Sequence, residues 1–320
     1  MEPGENRMNE MPNVTDGPVG RIDYPSSNPF EIHHLIHGLK EAPPQNVFGV
    51  LLLPEKPARK PLPCIVACHG SLGWRGHHHE HIARWLDAGL AVFRVHSFES
   101  RQVQSIVEDQ MSVTHAMLTR DAFQALVFLS QHPLIDSSRI GVSGWSLGGT
   151  VALYSAWLPI AEALAPNGER FAAHLPFYPG AHLRMEEMRW RETPILVLHG
   201  EDDDYTPISF VRDLAEELRP HGVQIEIIGY PGAHHSFDSV ESLTWLPEAI
   251  RLGRSTVEID MRGDMWSVSP SGRRHPMNQP SDRKAAFRAA SNVGAHIGGH
   301  WEARRRSFSD GVGFFQSNLR

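Results

Sequence analysis

The chain has 320 residues, a formal net charge of −7, and is 41% hydrophobic and 21% charged. That is long enough for a sizeable core, and the acidic balance argues against nucleic acid as the main partner. No apolar run approaches the roughly 18 residues of a membrane span, so no membrane partner is expected. Charge is unevenly spread: residues 251–320 hold 12 Lys and Arg against 6 Asp and Glu, leaving the preceding residues strongly acidic.

Met1 to Pro29 is polar, rich in Pro, Gly and Asn, and lacks the apolar centre of a signal peptide. It reads as a loose arm on a cytoplasmic protein. Asn46–Pro54 reads as an early antiparallel strand followed by a Pro/Lys-rich hairpin. Leu62–Cys68 is the next strand and runs into His69-Gly70-Ser71-Leu72-Gly73. Cys64 and Cys68 fall on one face of that strand about 13 Å apart, too far for a disulfide, and read as buried small hydrophobes. Ile82–Ala88 suits a helix and Leu90–Val95 a strand. A long helix is expected over Ser112–Ser130, with Leu118, Ala122, Ala125, Leu126 and Leu129 on one face.

Next comes Arg139-Ile140-Gly141-Val142-Ser143-Gly144-Trp145-Ser146-Leu147-Gly148-Gly149-Thr150. An apolar strand enters Gly-x-Ser-x-Gly and a helix leaves it, which is the context a nucleophile elbow requires. A strand turning sharply into a helix strains the apex residue and brings its neighbours close, so Gly144 and Gly148 carry no side chains. Ser146 then stands at the positive end of a helix, where an oxyanion is stabilised. Ser143 precedes the first glycine and belongs to the strand.

The second half repeats the alternation: a strand over Phe171–Phe177, a uniformly apolar strand over Pro194–His199, a helix over Ile208–Arg219 and a strand over Val223–Tyr230. Regular alternation means a mostly parallel central sheet with helices on both faces, an α/β fold. Ligands of such sheets bind beyond the carboxyl ends of the strands. Residues 251–300 break the pattern; Thr256–Asp260 suits a hairpin strand and Ser269–Asp282 a surface loop. Glu302–Leu319 reads as a final helix. The expected organisation is an arm over 1–29 and a single domain over 30–320 with an insertion at about 251–300, read as part of a lid or as the subunit contact of a homo-oligomer.

Serine needs a base to take its proton and a group to orient that base. Chain order in this fold is Ser, then an acid, then His. The acid is sought in His199-Gly200-Glu201-Asp202-Asp203-Asp204 and the base in Tyr230-Pro231-Gly232-Ala233-His234-His235-Ser236-Phe237, both loops that follow apolar strands. Spacing alone leaves three aspartates and two histidines. The oxyanion hole is assigned to the backbone N–H of Leu147 and to that of Ser71, with Leu72 competing.

These four segments carry a resemblance to the dienelactone hydrolase family of the α/β-hydrolases, spanning roughly Val47 to Asp238. The resemblance implies an α/β-hydrolase fold and a carboxylic ester hydrolase. The family's aspartate lies three residues after the glycine, which implies Asp203, and its histidine opens His-x-Phe, which implies His235. Founding members resemble cysteine enzymes with a glutamate in the loop after the third strand; here Ser146 and Gly70 stand at those places, which implies a serine esterase rather than an enzyme for dienelactone itself.

Arg101 by itself reads as a loop-anchoring salt bridge; the resemblance implies contact with an anionic substrate. Trp145 reads as packing beneath the nucleophile or as substrate contact. Trp157, Trp190 and Tyr178 suit either the acyl pocket or the core. His77-His78-His79-Glu80-His81 looks like a metal cluster, but adjacent histidines diverge, so a solvated helix start is preferred, then contact with substrate. Arg304-Arg305-Arg306 reads as a solvated helix face. The resulting expectation is a cofactor-free, metal-free serine hydrolase of small-molecule esters or lactones. Its rivals are a prolyl-oligopeptidase-like peptidase and a hydrolase-fold protein that binds without turnover.

Overall fold

The computed structural model describes residues 17–56, 60–251, 253–290 and 292–319. In chain order the strands and helices are β1 (Gly20–Ser27), α1 (Ile32–Ile36), β2 (Pro44–Leu52), β3 (Leu62–Cys68), α2 (Gly76–Asp87), β4 (Ala91–Val95), α3 (His115–Ser130) and β5 (Ile135–Trp145). Then come α4 (Leu147–Tyr154), α5 (Leu158–Leu164), β6 (His174–Phe177), β7 (Leu183–Met185), β8 (Leu196–Gly200), α6 (Ile208–Leu218) and β9 (Glu226–Tyr230). The chain ends with β10 (Thr244–Arg251), β11 (Thr256–Ile259), β12 (Met265–Val268), β13 (Arg274–Pro276), α7 (Pro280–Ala290), β14 (Asn292–Ile297) and α8 (Trp301–Asn318).

The main sheet runs β1-β2-β4-β3-β5-β6-β8-β9. β1–β2 and β2–β4 are antiparallel and every later pair is parallel. All seven residues of β3 are buried, as a strand covered on both faces must be. One apolar cluster packs beneath the sheet against α3 and α4, and another packs Trp85, Trp145, Phe177 and Phe315 on the opposite face. The strand carboxyl ends therefore present the loops after β3, β5, β8 and β9 along a common rim. Among the described residues no helix is long and apolar enough to cross a membrane.

Gly20–Ser27 corrects the loose-arm reading over its described part. It pairs with β2 along its whole length, and Ile22 and Tyr24 turn into the core; residues 1–16 lie outside the described set. Residues 244–297 hold more regular structure than expected. β10 pairs with β14, while β11, β12 and β13 extend from β7 as a small separate sheet. The expected surface loop over Ser269–Asp282 contains β13 and the start of α7, whose Ala286 and Phe287 join the main core with Met265 and Met277.

Two core histidines give the fold an acid sensitivity. His174 on β6 is fully buried, its Nδ1–H donating to the Ala152 carbonyl at 2.8 Å. Burial pushes its imidazole down to about 4, and does the same to His182. Because the folded values lie below the unfolded value of about 6.5, the unfolded chain takes up protons first as pH falls below 6.5. Stability is then lost progressively down to pH 4, by up to about 3 kcal/mol for each histidine. Denaturant unfolding at stepped pH should show this decline, and His174→Asn, which keeps an N–H donor but cannot titrate, should be less stable at pH 7 yet lose less between pH 6.5 and 4. A variant curve parallel to the wild type would contradict the assignment.

Candidate active site

The turn from β5 into α4 places Ser146 at φ 54, ψ −109, a strained backbone for a residue with a side chain. Close packing holds it there. A Cβ on Gly148 would lie 2.2 Å from the Cys68 carbonyl oxygen, and one on Gly144 would lie 2.3 Å from that of Gly148. The loop after β8 and the loop after β9 are joined by the Asp202 N–H donating to the Ala233 carbonyl at 3.0 Å. This brings Asp203 and His235 to the elbow.

The Ser146 hydroxyl lies 2.9 Å from His235 Nε2, and His235 Nδ1 lies 2.8 Å from Asp203 Oδ2. A carboxylate only accepts, so Nδ1 carries the ring hydrogen and Nε2 is the free base facing the hydroxyl. Asp203 is itself fixed: Oδ1 accepts from the N–H groups of Tyr205 at 2.9 Å and Thr206 at 2.8 Å, and Oδ2 accepts from the Thr206 hydroxyl at 3.1 Å. Burial pushes the Asp203 carboxyl up, but the facing His235 imidazole and these donors outweigh it and hold the group below its usual range. Of the neighbouring aspartates, Asp202 is exposed, whereas Asp204 accepts from the His296 backbone at 2.8 Å and contacts its Nδ1 at 2.9 Å. The rings of Tyr178 and Tyr205 each lie 4.7 Å from that of His235.

A cavity of about 190 Å³ opens at Ser146 and His235. Leu72, Val107, Tyr205, Leu246 and Ile297 supply much of its apolar wall, and His77 and His78 border it from α2. Thr244 and Leu246 on β10 and Ile297 on β14 show that the 244–297 segment closes one side of the cavity. Ser71 and Leu72 both border it, in a loop so near the elbow that a Cβ on Gly70 would lie 3.2 Å from the Trp145 carbonyl oxygen. Leu147 is the first residue of α4, where N–H groups have no acceptor within the helix.

Several expectations are corrected. Arg101 is turned away from the cavity. Its guanidinium grips buried Asp121 with two N–H groups at 2.7 and 3.1 Å, and it also reaches Asn28 and the Ser97 carbonyl. It anchors its loop and β1 rather than a substrate. Trp145 keeps its packing reading: it is fully buried, stacked on Trp85 and Phe177 with its indole N–H on Asp238, and it also borders the cavity beneath Ser146. His77, His78 and His81 are buried beside Asp238 and Trp145, so the histidine run is not a solvated helix start. Arg304 is likewise buried, between Asp238 and Glu80. Trp157 and Trp190 fill core, while Tyr178 borders the cavity. Both cysteine thiols are buried and pushed above their ordinary range by that burial, which removes them as nucleophiles.

Sequence reasoning left Thr206 and Asp238 without roles. Both stand in strand-end segments rich in ordinary polar residues, and nothing in composition separates a buried carboxylate three residues after His235 from a surface one.

The sequence profile of the dienelactone hydrolase family matches residues 47–245, more than half of the chain. The chain belongs to the dienelactone hydrolase family. Among proteins similar to this family member, an Aquifex aeolicus (strain VF5) protein named "Putative carboxymethylenebutenolidase" is 28% identical over 116 residues, covering 36% of this chain and 47% of that relative. The chain thus spans about half the length of that relative. "Dipeptidyl peptidase family member 1" of Caenorhabditis elegans is 26% identical over 149 residues, 42% of this chain and 17% of that protein. In fold the family member is similar to the dienelactone hydrolase-like promiscuous phosphotriesterase P91 from metagenomic libraries, with TM-score 0.51, 17% identity, and coverage of 94% of this chain and 100% of that one. The likeness establishes the α/β-hydrolase fold.

Proposed function

We propose that the protein hydrolyses small carboxylic esters or lactones through an acyl-enzyme on Ser146. The observation that carries this reading is the continuous Ser146–His235–Asp203 chain, at 2.9 and 2.8 Å, opening onto the cavity. His235 Nε2 takes the Ser146 proton as Oγ bonds to the acyl carbon, and the carbonyl oxygen becomes an oxyanion received by the N–H groups of Leu147 and of Ser71 or Leu72. The C–O bond to the alcohol breaks as His235 returns its proton to the leaving oxygen. A water, deprotonated by His235, then attacks the acyl carbon, releasing the acid and restoring the Ser146 hydroxyl. Asp203 holds the tautomer throughout and stabilises the imidazolium. For a lactone the alcohol and acid leave as one molecule.

The cavity sets the size of the group it holds. An engineered cavity of about 150 Å³ accommodates benzene, so about 190 Å³ suits a compact acyl or ring group. With p-nitrophenyl esters, kcat/KM is expected to be highest for acetate to butyrate and to fall by about 10-fold or more at octanoate, since unburied methylenes gain nothing and clashing ones cost. Flat or rising values with chain length would contradict the size assignment. Turnover of peptidyl anilides but of no ester would overturn the proposed reaction.

A further inference from the structure

Three residues beyond His235 lies a second carboxylate for which the triad has no use. Asp238 is fully buried. Its Oδ1 accepts from the Tyr178 hydroxyl at 2.8 Å, and its Oδ2 accepts from the Trp145 indole N–H at 3.0 Å. His81 Nε2 stands 3.1 Å from Oδ2 and His77 Nε2 3.9 Å from Oδ1. The Arg304 guanidinium, from α8, donates to the Asp238 backbone carbonyl. One side chain thus draws together the loop after β9, the last residue of β5, the end of β6 and the helix α2.

Two of these contacts end at the nucleophile and its base. Trp145 immediately precedes Ser146. The ring of Tyr178 lies 4.7 Å from the His235 ring, nearly edge-on, and its backbone is held at φ 36. Asp203 orients His235 from the loop after β8, and its route to β5 runs through Thr206, whose hydroxyl lies 3.1 Å from both Asp203 Oδ2 and the Tyr178 carbonyl. Asp238 gives a more direct tie, because it rides on the same loop as His235 and is bonded to the residue next to Ser146. Burial pushes the Asp238 carboxyl up, yet the facing imidazole of His77 and the contact with His81 hold it below its usual range. A buried carboxylate is a costly way to add stability alone, since well-packed apolar side chains commonly do as well or better.

We infer that Asp238 is a positioning residue of the hydrolytic centre, setting the separation of His235 from Ser146 by tying the histidine loop to Trp145 and Tyr178. The inference rests on the proposed triad. Misplacement of a reacting group by about 1 Å costs on the order of 100-fold in rate, and Asp238 touches no substrate. Asp238→Asn is therefore expected to lower kcat for p-nitrophenyl acetate by about 100-fold with KM within about twofold, because the cavity wall is kept.

The decisive experiment is a cycle with His235→Ala. If Asp238 acts through His235, Asp238→Asn changes the residual rate of His235→Ala by less than about twofold. An equal loss in both backgrounds, or a single-variant kcat within about threefold of wild type, overturns the inference. Should Asp238→Asn fail to fold, Tyr178→Phe, which removes one donor and little volume, takes its place in the same cycle, with an expected loss of about 10-fold. A His235→Ala enzyme as fast as wild type would instead sink the triad reading, and is told apart from a failure of Asp238 by that single variant alone.

Discussion

Replacing Ser146 by alanine is expected to lower kcat/KM for a p-nitrophenyl ester by about four to six orders of magnitude. The hydroxyl is the atom to which His235 Nε2 is aimed, at 2.9 Å; Ser71, Ser236, Ser239 and Ser242 also border the cavity, but among the described residues none of them is hydrogen-bonded to that nitrogen. The Ser143 hydroxyl is buried in β5 and donates to the Leu175 carbonyl at 2.7 Å. Cys64 and Cys68 are buried in β3 and held as thiols. The residual rate reflects the oxyanion donors and the cavity, which the substitution leaves in place. Steady-state kinetics with matched thermal unfolding check the outcome. More than about 1% of wild-type turnover in a folded Ser146→Ala protein would place the chemistry elsewhere.

The second large effect concerns the backbone that makes Ser146 reactive. In Gly148→Ala the new Cβ meets the carbonyl oxygen of Cys68 at 2.2 Å, its carbonyl carbon at 2.6 Å and the carbonyl oxygen of His69 at 2.6 Å. These are main-chain atoms of the end of β3 and the loop after it, so no rotamer change relieves the contact. The elbow must open or β3 must shift, and either costs about 3 kcal/mol or more. Gly148→Ala should therefore show a Tm lowered by roughly 4 °C or more and lost esterase activity. The control is Gly313→Ala in α8, where an added Cβ meets nothing within 4 Å; it is expected to raise stability by about 0.5–1 kcal/mol. A Gly148→Ala protein as stable and active as wild type would mean that the elbow is not so tightly packed.

How far the sequence alone reached follows from which forces are local. β3 lies at Leu62–Cys68, as its apolar run predicts, and α3, α6 and α8 start and stop within a few residues of their periodic patterns. These elements declare themselves because their burial repeats at a fixed spacing. β1 did not, since Gly20–Ser27 holds Arg21, Asp23, Pro25 and two serines; what makes it a strand is pairing with β2, a long-range contact that leaves no period in the chain. The ribbon of β10 and β14 escaped notice for the same reason: its partners lie more than forty residues apart.

The site shows the same division. Ser146 was legible because the elbow's steric demands are met by adjacent glycines. Asp203 and His235 needed the resemblance, because three consecutive aspartates and two consecutive histidines differ only in which one points inward. Arg101 anchors its loop, as its residue type suggests, and the substrate contact implied by the resemblance fails, as does the solvated reading of the histidine run, because burial decides these roles. Asp121, buried in α3, claims Arg101, and Asp238 turns His77 and His81 inward. Buried carboxylates act as organising centres here, and a one-dimensional reading shows a carboxylate without its depth.

The most direct measurement is covalent trapping with a fluorophosphonate, followed by peptide mass spectrometry on the wild-type protein and on Ser146→Ala. A single phosphonyl adduct on the Ser146 oxygen, formed in step with loss of esterase activity and absent from the alanine variant, is the expected result. Complete labelling at another residue, or esterase activity that survives stoichiometric modification of Ser146, would contradict the proposal that an acyl group is carried on this serine.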